Sequence, residues 1–290
     1  ALNLVRYGQD RNGMSFPVKF VSWGSGQDVL YAYLLAPLVG MFGLSPNMVR
    51  LPMLGFALLT LPLIFLVSLR LFGLTTALLA AFMLAISPWH VLLSRWALDS
   101  NLLPFVFLCA FGCVLMVRAC GWWFIPAAVL LALSLYAYGT AYLVAPVFLI
   151  GAVVLVLREG LLGRNQLLVG LLAFAVLSTP IGLLVIVNRF GLSSIHLGPI
   201  TVPHFPVVAR WEATTLLGSS DLLGSMVGNL GVAATLLATE TDSIPYNVLE
   251  PYGFFYRVGS LLAATGLLLI FVKRELRFET YALLLWLASA

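Results

Sequence analysis

Along most of this chain apolar residues run nearly unbroken for about 17–22 positions at a time, the length a helix needs to cross a hydrocarbon core. Seven such stretches stand out, at roughly 50–70, 74–93, 101–118, 122–138, 141–157, 167–188 and 254–272. An eighth begins near 280 and runs to the end of the chain at 290. Short polar segments separate them. The pattern predicts an all-α, polytopic transmembrane helical bundle forming a single membrane domain over 1–290. Pro146 and Pro180 fall inside spans, where neighbouring helices can satisfy the carbonyls they free.

The stretch 28–43, DVLYAYLLAPLVGMFG, is open on pattern alone: a short span or a helix lying in the interface. Charge decides between these. If 28–43 does not span, Arg70, Arg118, Arg158, Arg164, Lys273, Arg274 and Arg277 all fall on one side, in short loops. That is the positive-inside arrangement. If it spans, Arg70 moves to the side opposite Arg118 and the bias breaks up. The expectation is therefore an outer loop over 1–49 with a juxtamembrane helix at 28–43. The outer side also receives a turn at 94–100, a tight turn near 139 and a long loop at 189–253. Eight of the eleven acids then lie outside: Asp10, Asp28, Asp99, Glu212, Asp221, Glu240, Asp242 and Glu250. Polar chemistry is expected on that face.

Composition agrees. Hydrophobic residues make up 62% of the chain and charged ones 9%, against about 25% charged in soluble domains. A soluble core could not hide so much apolar surface, whereas lipid can. The formal charge of +4 is spread over 15 Lys and Arg with no basic run. That excludes a nucleic-acid footprint and leaves membrane lipids as the surrounding partner. Cys109 and Cys113 are four apart and share a helix face, but no further metal ligand lies near them. They read as packing residues, and with Cys120 they imply no disulfide framework. The chain starts at Ala1, and its last ten residues, YALLLWLASA, stop inside an apolar run. Both ends read as cut.

Three polar segments could carry chemistry. SPWHVLLSRWALDSNLLP (87–104) brings His90, Arg95 and Asp99 to the membrane surface. One reading is a cluster that binds an anionic headgroup through Arg95, with Asp99 as acid, base or metal ligand. The other is interfacial anchoring by Trp89 and Trp96, with Arg95–Asp99 as an i,i+4 helix pair. RYGQDRNGMSFPVKFVSWGSGQD (6–28) is rich in turn-forming glycine and carries Asp10, Arg11, Lys19 and Asp28. Its GSG lacks the context of a phosphate-binding loop. At the end of the 189–253 loop and just past it, Tyr246, Tyr252 and Tyr256 lie with Asp242, Glu250 and Arg257. They suit a carbohydrate or lipid-phosphate site or an aromatic belt equally well. The same loop opens with turn-rich GPITVPHFP, followed by apolar stretches at 205–217 and 222–238 that predict short helices. A loop of that length is commonly functional.

The order of several motifs resembles a known family. Phe16-Pro17 precedes the Leu30, Tyr31, Tyr33, Leu34 helix, then come FGLSPNMVRLP (42–52), SPWHVLLSRWALDSNL (87–102), YAYGTAYLVAP (136–146) and DSIPYNVLEPYGFFY (242–256). Together they resemble the membrane-embedded GT-C glycosyltransferases, family 39-like, the group of protein O-mannosyltransferases and the aminoarabinose–lipid A transferase. The resemblance implies a GT-C-like bundle with juxtamembrane helices in its first outer loop. It also implies a multi-pass plasma-membrane protein with an extracytoplasmic active face. In that family an outer-loop acid deprotonates an acceptor hydroxyl or amine, which attacks the anomeric carbon of a polyprenyl-phosphate sugar. The lipid phosphate leaves and needs a cation. The implied donor carries a hexose or pentose, mannose among them, and the acceptor is a protein, lipid or glycan. No cofactor is required with certainty, and a divalent metal is compatible.

The family's Asp-Glu pair is expected just before Ala1, with ALNLVRYG as the stretch that follows it. Asp10 is the nearest acid present and stands as a catalytic candidate beside Asp99, the second-loop acid. Arg95 and Arg257 are candidates for phosphate contact on chemical grounds. His90, Asp28, Asp242, Glu250 and Tyr252 complete the expected substrate-binding set. The rival reading is a transporter or flippase for a lipid-linked substrate, but the spans carry almost no charge at mid-depth and show no inverted repeat. A third reading, a non-catalytic membrane scaffold, predicts no acid-lined cavity on the outer side.

Overall fold

A computed structural model describes residues 1–22, 25–206, 221–240, 248, 252–254, 256–273 and 277–289. The chain is an all-α, polytopic membrane protein. Among the described residues, four helices are long and apolar enough to cross a bilayer: α3 (Pro46–Phe72), α6 (Asp99–Met116), α8 (Ala141–Arg158) and α9 (Arg164–Arg189). Before them stand α1 (Leu2–Tyr7), a small antiparallel hairpin of β1 (Phe20–Ser22) and β2 (Ser25–Gln27), and α2 (Leu30–Phe42). The other described apolar helices are α4 (Leu74–Ile86), α5 (Pro88–Leu93), α7 (Phe124–Ser134), α10 (Leu222–Thr239), α11 (Tyr256–Lys273) and α12 (Phe278–Ser289); α10 and α11, at 18 residues each, match α6 and α8 in length. A second hairpin, β3 (Ile195–Leu197) with β4 (Ile200–Val202), follows α9.

Local signals set the helix limits. Ser45 accepts the Met48 N–H at 3.2 Å and Pro46 takes the first helical position, so α3 starts there rather than near 50. Its 27 residues span about 40 Å, more than a hydrocarbon core of about 30 Å requires. Gly73, at φ +85°, ends α3 and turns the chain directly into α4. The 13 residues of α2 reach only about 20 Å, short of that core.

Two expected spans differ from the structure. The stretch 74–93 is not one helix: it breaks at Ser87 into α4 and α5. Pro88 offers no N–H and disfavours helical backbone at the residue before it. Ser87 caps the new helix and donates its hydroxyl to the Phe254 carbonyl at 3.2 Å. The stretch 122–138 is a 3-10 turn followed by the 11-residue α7, and it unwinds from 135 to 140. There the freed Tyr136 carbonyl accepts the N–H groups of Val29 and Leu30 at the head of α2. Within the 189–253 loop, helix α10 covers the expected 222–238 stretch, while most of 205–217 lies outside the described residues.

The main core lies between α6, α7, α8 and α9. Phe111, Phe124, Phe148, Leu131 and Leu184 are fully buried. Ala127, Ala128, Ala132, Ala145 and Ala152 are no more than 1% exposed, and such small residues let helices approach where lipid supplies no hydrophobic drive. The Phe111 ring stacks on Trp286 with centroids 5.5 Å apart, seating α12 against α6. A second core joins Tyr31, Leu35 and Val39 of α2 to Met53 of α3 and Leu102 and Val106 of α6.

Helices α3, α6 and α8 end at one pole of the bundle. Arg70, Arg118, Glu159, Arg277 and Glu279 line a cavity of about 500 Å³ there. Arg118 makes two hydrogen bonds to the Glu279 carboxylate, at 3.0 and 3.1 Å. Arg70, Arg118 and Arg277, three of the residues assigned to one side by the charge argument, therefore meet at one pole.

The α7–α9 packing depends on a missing side chain. A Cβ on Gly170 would lie 2.5 Å from the Phe124 ring, which is fully buried. Gly170→Ala is expected to destabilise the protein by about 1–3 kcal/mol through overpacking. A thermal-unfolding series in detergent checks this, with Gly182→Ala, which meets open space, as the unaffected control.

Candidate functional site

Asp99 is the first residue of α6, in the polar 87–101 segment at the pole opposite the arginine cavity. An acidic residue in the first turn lies at the positive end of the helix dipole. Asp99 is half-buried, and its Oδ2 accepts a hydrogen bond from Gln27 Nε2 at 3.3 Å. Tyr31 stands nearby. Burial raises its phenol above the ordinary value, and the Asp99 charge pushes the same way. The Tyr31 hydroxyl donates to the Val49 carbonyl and accepts the Met53 N–H at 3.2 Å, which pins α2 to α3.

The segment that carries Asp99 is held by Asn101. Its Nδ2 donates to the carbonyls of Leu93 at 3.2 Å and Trp96 at 3.1 Å, closing the gap between α5 and α6. Arg95 is exposed in that gap. It sits in a turn outside either helix, so the i,i+4 helix pairing with Asp99 does not form. His90 is half-buried in α5 and its ring interacts with the Ala57 backbone.

The hairpin that presents Gln27 is closed at its base by a buried ion pair. Lys19 precedes β1, Asp28 follows β2, and Nζ lies 3.0 Å from Oδ1. Lys19 also donates to the Tyr142 hydroxyl at 3.2 Å, with its ammonium 5.1 Å from the ring centre. Burial pushes the Lys19 amine down, but Tyr142 and Asp28 outweigh it and hold the amine above its ordinary value. Asp28, expected at the substrate, is thus engaged inside the protein.

Asp10 is also turned inward. Its Oδ1 accepts the N–H groups of Asn12 at 2.8 Å and Met14 at 2.9 Å, and Oδ2 accepts Asn12 Nδ2 at 3.4 Å. These bonds organise the 10–14 turn. Tyr252 is exposed, with its ring edge-on to Tyr256 at 6.2 Å, and Tyr256 donates to the Ile86 carbonyl. Asp242 and Glu250 lie outside the described residues, as does the Arg257 side chain. Among the described residues no group of three His, Cys, Asp or Glu side chains could hold a metal ion.

The arginine cavity is a poorer candidate for chemistry despite its size. Its three arginines face Glu159 and Glu279 and the negative ends of three helices, so its charge is close to balanced. Gln27, Lys19, Tyr31, Asn101 and Tyr142 were not among the expected site residues. The signal for Lys19 was present: a single charge in the otherwise apolar FPVKFV needs a buried partner.

Asn101→Ala removes two hydrogen bonds and is expected to cost about 1–3 kcal/mol. Amide exchange over 94–98 is expected to speed up with little change elsewhere in the bundle, as measured by mass spectrometry.

The family model for dolichyl-phosphate-mannose-protein mannosyltransferases matches residues 27–182. The match covers just over half of the chain, from Gln27 at the site into α9, and includes Asp28, Asp99, Asn101 and Tyr142. No curated protein and no solved structure matches the chain. The chain belongs to the dolichyl-phosphate-mannose-protein mannosyltransferase family and is a membrane glycosyltransferase of the GT-C type.

Proposed function

We propose that the protein transfers a sugar from a polyprenyl-phosphate donor to a protein, lipid or glycan acceptor on the extracytoplasmic face of the plasma membrane. The observation that carries this reading is Asp99: a half-buried carboxylate at the head of a spanning helix, hydrogen-bonded to Gln27 and within the family match. A glycosyl acceptor is a weak nucleophile until its proton is taken, and a positioned carboxylate does that work. Asp99 activates or orients the acceptor, and Arg95, exposed four residues earlier, contacts the departing lipid phosphate. His90, Tyr252 and Arg257 extend the substrate surface, with Asp242 and Glu250 from the same loop. Asp10 and Asp28 shape the first loop from within.

The sidedness rests on charge. Arg70, Arg118 and Arg277 share the pole away from Asp99, and clustered Lys and Arg beside span ends mark the cytoplasmic side even where acids accompany them. In this reading α2 lies in the outer interface, as its length of about 20 Å suggests.

Asp99→Asn keeps the shape of the side chain and removes its basicity. Transfer by the full-length protein from a polyprenyl-phosphate sugar is expected to fall by about 100-fold or more. Native rates in that variant would take Asp99 out of the mechanism.

A further inference from the structure

We infer that Lys19, Asp28 and Tyr142 form a positioning clamp that sets Gln27 against Asp99. The inference rests on the reading of Asp99 as the working acid. Lys19 and Asp28 flank the β1–β2 hairpin, and the first register pair inside them is Phe20 with Gln27. The ion pair therefore fixes the hairpin one residue away from the side chain that reaches Asp99. Both charges are buried, Lys19 at 5% and Asp28 at 9% exposure. A pair in such a place gains little stability over an apolar pair, but parting it strands a buried charge, so the two side chains stay together.

The clamp has a second jaw. Tyr142, in the first turn of α8, receives the Lys19 ammonium, while the Val29 and Leu30 N–H groups bond the Tyr136 carbonyl after α7. The hairpin is thus tied to the α7–α8 connection on one side and to the head of α6 on the other. Packing leaves it little room to shift. A Cβ on Gly26 would lie 2.7 Å from the Phe205 ring and 2.9 Å from Lys19 Cδ. Gln27 then meets Asp99 as a preset amide donor. It holds the carboxylate at the angle an acceptor needs, and small displacements of such a group carry a large cost in rate.

The test is a double-mutant cycle on transfer by the full-length protein with a polyprenyl-phosphate sugar. Gln27→Ala and Asp28→Asn are each expected to lower kcat by about tenfold with the donor KM within about twofold of native. Combined, they are expected to be no worse than either alone, because the clamp acts only through Gln27. Tyr142→Phe keeps the ring under Lys19 and deletes one hydroxyl. Its smaller loss in kcat, about threefold, is expected to vanish in the Gln27→Ala background, and it carries the test should Asp28→Asn not fold. Effects that multiply, or a raised donor KM at native kcat, would overturn the clamp and make Asp28 and Tyr142 act independently of Gln27. Asp99→Asn run alongside separates the two readings. If it is inactive and the cycle multiplies, only the clamp falls. If it is fully active, both fall.

Discussion

A peptide group inside a bilayer has no water to bond, and a charge there has no solvent to screen it. Almost everything in this chain follows from those two costs. The backbone satisfies itself within helices, so the apolar runs become α3, α6, α8 and α9. The few charges move to the ends, where they neutralise helix termini or one another. Arg70, Arg118 and Arg277 gather at one pole, and Asp99 opens a helix at the other. Where chemistry can occur is therefore decided by the membrane before any particular residue is considered.

The polar pole is held together by bonds that cross between elements. Tyr31 joins α2 to α3, Asn101 joins α5 to α6, and Lys19 joins the first loop to α8. Asn188 adds a fourth, donating to the Leu184 and Pro203 carbonyls and accepting the Phe205 N–H at the end of α9. Each is a single polar side chain in an apolar setting, where an unmade bond costs more than a made one returns. A fold with few polar residues thus uses them as joints.

Much of this was legible in the sequence because membrane length is a strong filter. The apolar runs, the position of α6 and the common pole of the arginines follow from hydropathy and charge alone. What was not legible depends on partners far away in the chain. Hydropathy ran straight through 74–93, although Ser87-Pro88 is a cap signal; the Phe254 carbonyl that completes the break lies 167 residues away. The span at 122–138 ends early because α2 claims the Tyr136 carbonyl. Asp10 and Asp28 looked like site acids because sequence shows charge but not its partner. One is consumed by its own turn, the other by Lys19. Gln27 carried no signal, since an amide beside two glycines reads as loop.

The proposed function requires the Asp99 pole to lie outside and the arginine pole to face the cytoplasm. Single-cysteine labelling of intact cells with a membrane-impermeant maleimide reads this directly, in a background where Cys109, Cys113 and Cys120 are serine. A cysteine at Arg95→Cys should react in intact cells, whereas one at Glu159→Cys should react only after the membrane is permeabilised. The reverse pattern would place Asp99 in the cytoplasm and contradict the proposed function.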